Sequence, residues 1–198
     1  MIKKKYLALV LARKGSRRLK NKNVLKLGSK PLISWTLDNL KKISNLFDDI
    51  LVSSDSNIIK QITKKSGLLF LKRPDYLAKS KTTSESSAIH AVNFYQKKYH
   101  EIEYVILFQP TSPLRKNSTI KKVLNLSSRY PNKQIVSIND QSSKPNGLIY
   151  LTPVKILKKH KSFSYKNFVP VITKSKKEAI DIDTSYDLKI AKKYINEN

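Results

Sequence analysis

Short apolar runs, separated by stretches with helical spacing, restrict the fold of this chain more than any other feature. Tyr6-Leu7-Ala8-Leu9-Val10, Asp49-Ile50-Leu51-Val52-Ser53, Leu68-Leu69-Phe70-Leu71 and Tyr104-Val105-Ile106-Leu107-Phe108 are each the length of one strand, as is the run over residues 134–138. The run from Tyr104 is the most continuous, which suits a central strand covered on both faces. Pro31 opens a helix that puts Ile33, Leu37, Leu40 and Ser44 on one face, with Trp35 at the edge of that stripe. Ser54-Asp55-Ser56 can cap a second helix over residues 57–66, which Gly67 ends. A polar loop follows from Arg73 through Thr83. Residues 84–99 then carry Ala88, Ala91, Val92, Tyr95 and Tyr99 at helical spacing, and another helix is expected over 118–128. This alternation through residue 138 predicts an α/β chain with a mainly parallel central sheet and helices on both faces.

Past residue 138 the pattern is less regular. A strand is expected at 147–151, a basic and mobile segment at 155–166, a short strand at 179–183 and a closing helix at 185–195. No internal repeat or linker divides the chain, so residues 1–198 read as one domain.

In such a sheet, ligands bind beyond the C-terminal ends of the strands. The first strand opens into LARKGSRRLKNKN (residues 11–23), where six of the ten residues from Arg13 to Lys22 are cationic and none is acidic. Cations and free backbone N–H groups in one loop suit a polyphosphate. Asp55, Arg73 and the loop Gln109-Pro110-Thr111-Ser112-Pro113-Leu114-Arg115 also follow strand ends and should converge on the same edge. The loop is neither a P-loop nor a dinucleotide fingerprint, since GxxxxGK[ST] and GxGxxG are both missing.

Acidic residues number only 14, and two stand close together in Asp181-Ile182-Asp183. On a strand, both carboxylates would share one face roughly 7 Å apart, with Ile182 toward the core. Such a pair can hold a hydrated Mg²⁺ that also grips substrate phosphates. Thr184-x-x-Asp187 reads instead as a helix-start cap, and His90, alone in its helix, has a structural role. A basic cradle facing paired carboxylates implies a Mg²⁺-dependent enzyme acting on a nucleoside triphosphate. It does not choose the base.

The formal net charge of +26 raises nucleic acid as a partner, but the cations are spread along the chain and lack interleaved aromatics to stack bases. Specific nucleic-acid binding is not expected. The absence of cysteine excludes disulfides and thiolate metal sites. The apolar stretch after the basic N-terminus is short for a signal peptide, and no window approaches the roughly 18 apolar residues of a membrane span. A cytoplasmic protein is expected.

Taken in order, LARKGSRRLKNKN, Val52-Ser53-Ser54-Asp55-Ser56, Arg73-Pro74-Asp75-Tyr76-Leu77-Ala78, QPTSPLR, Pro145-Asn146-Gly147-Leu148-Ile149-Tyr150 and IDIDTSYDL resemble the acylneuraminate cytidylyltransferases, over about Tyr6 to Ala191. The resemblance implies a Rossmann-like, three-layer nucleotide-diphospho-sugar transferase fold. The implied reaction joins CMP from CTP to the anomeric hydroxyl of a nonulosonic acid of sialic, legionaminic or pseudaminic type, releasing pyrophosphate. By position, Arg13, Ser16 and Lys22 would hold the triphosphate, with Arg13 and Lys22 stabilising the departing pyrophosphate. Asn23, Arg73, Ser84 and the backbone at Ala12 would contact cytosine and ribose. Gln109 would lie between nucleotide and sugar, Lys144 and Asn146 near the sugar, and Asp181 and Asp183 on Mg²⁺, with Asp183 counted as catalytic.

The chain departs from the family at Ser80, where an Asp is usual, and at Lys144, where an Arg is usual. It also has a much shorter segment around 139–144, which normally contributes sugar contacts and dimerisation, so a homodimer is in doubt. The rival readings are activation of a Kdo-type acid, another sugar nucleotidyltransferase, a nucleotide-binding relative without turnover, and a basic nucleic-acid binder.

Overall fold

The computed structural model describes residues 5–16, 18–140 and 144–196; Arg17 and residues 141–143, part of the shortened segment, lie outside these. Hydrophobic alternation decides the layers. In β1 (Tyr6–Leu11) all residues but the last are buried, and successive side chains point to opposite faces. Ala8 and Val10 pack with Ile33, Leu37 and Leu40 of α1 (Leu32–Lys41), Ile59 of α2 (Asn57–Lys65), and Ile120 and Val123 of α5 (Asn117–Arg129). Leu7 and Leu9 pack on the other face with Ala88, Ala91, Val92 and Tyr95 of α4 (Ser84–Lys98) and Leu157 of α6 (Val154–His160). The result is the three-layer α/β architecture that the sequence implies.

Among the described residues the main sheet has seven strands. Their order is β5 (Leu69–Lys72), β4 (Asp49–Ser54), β1, β6 (Tyr104–Phe108), β8 (Pro145–Pro153), β7 (Ile135–Asn139) and β9 (Val169–Thr173). Leu9 stands opposite Leu51 of β4 and Leu107 of β6 in parallel register. β8 runs antiparallel to both neighbours, while the other pairs are parallel. The reason is connection length: β7 ends at Asn139 and β8 starts at Pro145. A crossover to a parallel strand needs about a dozen residues or more. The Asn139 N–H instead donates to the Lys144 carbonyl at 3.1 Å, closing a hairpin. The start of β8 therefore reaches the same sheet edge as the ends of the parallel strands.

A smaller core lies beside that edge. Leu27 of β2 (Lys26–Leu27), which pairs with β3 (Lys30–Pro31), packs with Leu32, Ile182 and Ala191 of α7 (Ser185–Asn196), all fully buried. Trp35 sits at its margin, as its off-stripe position predicts, donating its indole N–H to the Leu27 carbonyl at 2.9 Å.

Four sequence expectations are corrected. Residues 179–183 form no strand; the Ile182 N–H bonds the Thr111 carbonyl at 2.8 Å, but no ladder continues from it. The supposedly mobile 155–166 segment contains α6, held by buried Val154 and Leu157 and ended by Lys161 at φ 49°. The polar loop 73–83 includes the short helix α3 (Asp75–Ala78). β9 was not foreseen; its Pro170 is tolerated because β9 is an edge strand.

Candidate active site

The loop after β1 holds its shape through its own polar groups. Asp55 Oδ1 accepts the Lys14 N–H at 2.7 Å, and the Asn23 side-chain amide donates to the Arg13 carbonyl at 3.0 Å, tying the end of the loop to its start. Asn21, in the left-handed region at φ 54°, turns the chain into a single 3-10 turn that carries Lys22. Ala12 is fully buried, and its N–H donates to the Ser53 carbonyl at 3.0 Å, so the loop leaves the sheet from a fixed point.

Asp181 and Asp183 arrive from the other end of the chain. Ile182 between them anchors the segment in the small core, where full burial of such a side chain contributes about 1.5–3 kcal/mol. Its N–H bond to Thr111 fixes the height of the segment above the sheet. The cap predicted from Thr184-x-x-Asp187 is formed: Asp187 Oδ2 accepts from the Asp183 N–H at 3.0 Å, the Thr184 N–H at 2.7 Å and the Thr184 hydroxyl at 2.8 Å.

Basic loop and carboxylates meet. Arg13, Ser16, Lys22, Asn23, Ser84, Gln109, Asp181 and Asp183 line one cleft of about 270 Å³. Lys22 Nζ donates to Asp183 Oδ1 at 2.6 Å, and the Arg18 guanidinium pairs with Asp183 Oδ2. Lys22 is largely covered, with 14% of its side chain exposed against 42% for Asp183. Burial raises the Asp181 carboxyl above its ordinary pKa; the Thr111 hydroxyl and the Lys22 charge oppose that, and the Asp183 charge adds to it.

Arg73 opens onto an adjoining hollow of about 200 Å³, which shares Leu11, Arg13 and Ser84 with the first. Its guanidinium is held against β4, Nη2 donating to the Ser53 carbonyl at 2.9 Å and Nε to the Ser53 hydroxyl at 3.3 Å. Burial pulls its pKa down to about 10, so it stays charged at neutral pH. Neither Lys144 nor Asn146 lines either hollow. Lys144 is exposed on the β7–β8 hairpin. Asn146 is buried, and its Oδ1 accepts from the Ser137 hydroxyl at 2.6 Å and the Leu148 N–H at 3.2 Å.

Sequence reasoning gave no role to Thr111, Arg18 or Gly147, although each lies in a quoted motif. Gly147 has φ +79°, and a Cβ there would stand 2.7 Å from Gln109 Oε1 and 3.6 Å from Asp181 Oδ2. The signal was the glycine itself, placed in a strand interior.

Such an arrangement can bind a polyphosphate against cations and hold a hard cation opposite. Asp181 Oδ1 is buried and has no hydrogen-bond partner among the described residues, which fits an oxygen aimed at a metal. Among those residues no cluster of three or more His, Cys, Asp or Glu could hold a metal, so an ion here would rest on two carboxylates and keep several waters. No helix among them is long and apolar enough to cross a membrane.

The comparisons with known proteins agree with this geometry. The chain is 34% identical to the N-acylneuraminate cytidylyltransferase of Escherichia coli over 145 residues, 73% of this chain but only 33% of that protein. It therefore spans about a third of the length of that relative. Against the CMP-N,N'-diacetyllegionaminic acid synthase of Legionella pneumophila it is 29% identical, with 97% of each chain covered. Among solved structures, a cytidylyltransferase from Leptospira borgpetersenii superposes with a TM-score of 0.77 at 18% identity, covering 98% of this chain and 88% of that one. A CMP:2-keto-3-deoxy-manno-octonic acid synthetase complexed with CTP gives 0.75 at 12% identity, covering 98% and 99%. These last two share the fold. The cytidylyltransferase family model matches residues 7–188, from the first strand of the sheet to the helix behind the paired aspartates, and the chain belongs to that family.

Proposed function

We propose that this chain transfers CMP from CTP to the anomeric hydroxyl of a nonulosonic acid of sialic, legionaminic or pseudaminic type and releases pyrophosphate. The observation that carries the reading is a cationic loop facing paired carboxylates across one cleft, in a cytidylyltransferase whose relatives are named for acid-sugar activation. Arg13, Ser16 and Lys22 hold the triphosphate, and the Arg73 hollow with Ser84 and Asn23 takes the nucleoside. The acceptor hydroxyl oxygen forms a bond to the α-phosphorus as the bond to the β-phosphate oxygen breaks. Lys22 and Arg13 meet the charge that develops on the departing pyrophosphate.

Asp181 and Asp183 would hold Mg²⁺, which when bound supplies charge neutralisation and lowers the cost of ionising the acceptor hydroxyl. Lys22 and Arg18 pair with Asp183 and become free for phosphate once that carboxylate is otherwise engaged. Gln109, on the Asp181 side of the cleft, orients the acceptor. Lys144 borders the same sheet edge and offers a cation to the sugar carboxylate, without the bidentate fork of an arginine. CTP as substrate supports a cytoplasmic reaction.

Pyrophosphate release, measured with CTP, ATP, GTP and UTP against N-acetylneuraminic, legionaminic, pseudaminic and Kdo-type acids, tests the reading. Product is expected with CTP and a nine-carbon acid. Preference for another nucleotide, or for the eight-carbon acid, would replace it. The short β7–β8 connection favours one alternative, a nucleotide-binding relative without turnover. In that case CTP would raise the melting temperature while no acceptor gives product.

A further inference from the structure

Arg115 closes the loop after β6 and is 3% exposed, yet no carboxylate among the described residues comes within ion-pair distance of it. Its Nε donates to the Leu148 carbonyl at 2.7 Å and its Nη2 to the Gln109 carbonyl at 3.0 Å. The guanidinium lies 5.1 Å from the centroid of the Phe108 ring. Nη1 is buried with no hydrogen-bond partner among the described residues. Burial pulls the pKa down to about 9, opposed by the charges of Glu178 and Asp181, so the group remains a cation.

A buried cation without a carboxylate in contact is a poor way to stabilise a fold, since an apolar residue of similar volume often serves as well or better. What Arg115 does touch is informative. Gln109 contributes its side chain to the cleft. Leu148 follows Gly147, whose backbone leaves no room for a Cβ beside Gln109 Oε1. Thr111, inside the same loop, accepts the Ile182 N–H at 2.8 Å through its carbonyl. The guanidinium thus joins its own loop to the start of β8, and the same loop holds residues 181–183 through Thr111.

We propose that Arg115 is a positioning residue that locks the 109–115 loop, the start of β8 and, through Thr111, residues 181–183 into one unit. The lock sets where the Gln109 amide stands relative to the Asp181 carboxylate. Its kinetic consequence rests on the CMP-transfer reading; its structural consequence does not.

Arg115→Lys and Arg115→Met test it. Lysine keeps the charge but one ammonium cannot span both carbonyls. In hydrogen exchange, segments 109–115, 145–150 and 180–183 should all exchange about tenfold faster in both variants, with β1, β4 and β5 unchanged. With CTP and the productive acid, kcat should fall about 100-fold, as for a misplacement near 1 Å, while KM for CTP stays within about threefold. Unchanged protection of 145–150 and 180–183 would overturn the proposal, as would native kcat in Arg115→Lys. Failure of both variants to fold would also overturn it by making Arg115 a residue of the global fold. If the native chain turns over no acid, the functional reading fails while the exchange data still decide the role of Arg115.

Discussion

Replacing Gly147 with alanine strains the site in two separable ways. At φ +79° an L-residue pays about 1–2 kcal/mol for the left-handed region. The new Cβ would also stand 2.7 Å from Gln109 Oε1, where ordinary contact begins near 3.4 Å. That oxygen ends a flexible side chain, so Gln109 can yield, at about 0.5–1.5 kcal/mol for a distorted rotamer. The sum is about 2 kcal/mol, which in a domain of this size lowers the melting temperature by roughly 4–8 °C. Moving the Gln109 amide by most of an ångström should reduce turnover by about 10- to 100-fold. Calorimetric unfolding and pyrophosphate release read the two effects. Adding Gln109→Ala to Gly147→Ala removes the collision but not the backbone strain, so it should recover about 1 kcal/mol relative to the sum of the single variants. A Gly147→Ala protein within 1 °C of the native melting temperature, or a double variant with strictly additive losses, would refute the reasoning.

Asp183→Ala should lower kcat by about 100-fold or more. Because it also releases Lys22 and Arg18, calorimetry in a chelator should find metal-free CTP bound more tightly, and weaker binding would contradict the ion-pair reading. Burial raises the Asp181 carboxyl, so as pH falls its ionised form is lost sooner than that of an ordinary aspartate. The acid limb of kcat/KM should accordingly lie above the ordinary aspartate range, and Mn²⁺ binding should weaken over the same interval. For Asp187, burial works against the charge but the bonds from Thr184 and the Asp183 N–H outweigh it, leaving the folded pKa depressed. Its stabilisation is complete above the unfolded value near 3.8 and lost as pH falls through the lower folded value. Asp187→Ala should cost about 1 kcal/mol in neutral denaturant titrations and reduce the acid sensitivity of the fold, with equal acid midpoints arguing against the cap.

Much of this was legible because the deciding interactions are local or periodic. β1, β4 and β6 announce themselves as apolar runs, and the Thr184–Asp187 cap is written in four residues. The basic loop was expected to face the paired aspartates, and Lys22 does meet Asp183, although no strand carries that pair. Other features depend on tertiary partners. α6 offers only Val154 and Leu157 as buried anchors among many cations, so its helical face is hard to see. Residues 179–183 look like a strand because Ile180 and Ile182 flank an aspartate, yet the small core with Leu27 and Ala191, not a ladder, holds them. Arg115 gave no warning of its burial, because a guanidinium held partly by a carbonyl of a distant strand leaves no trace in local spacing.

The reversal of β8 has a consequence for how relatives of this chain can diverge. A backward strand begins at the rim where its neighbours finish, so β8 starts on the sheet edge from which the cleft opens. The alignment with the Legionella pneumophila relative runs to 229 positions against 198 residues here. Length inserted between β7 and β8 would add to that rim while the strands beneath the cleft kept their threading. A change of length between two strands can in this way alter the rim without rebuilding the sheet beneath it.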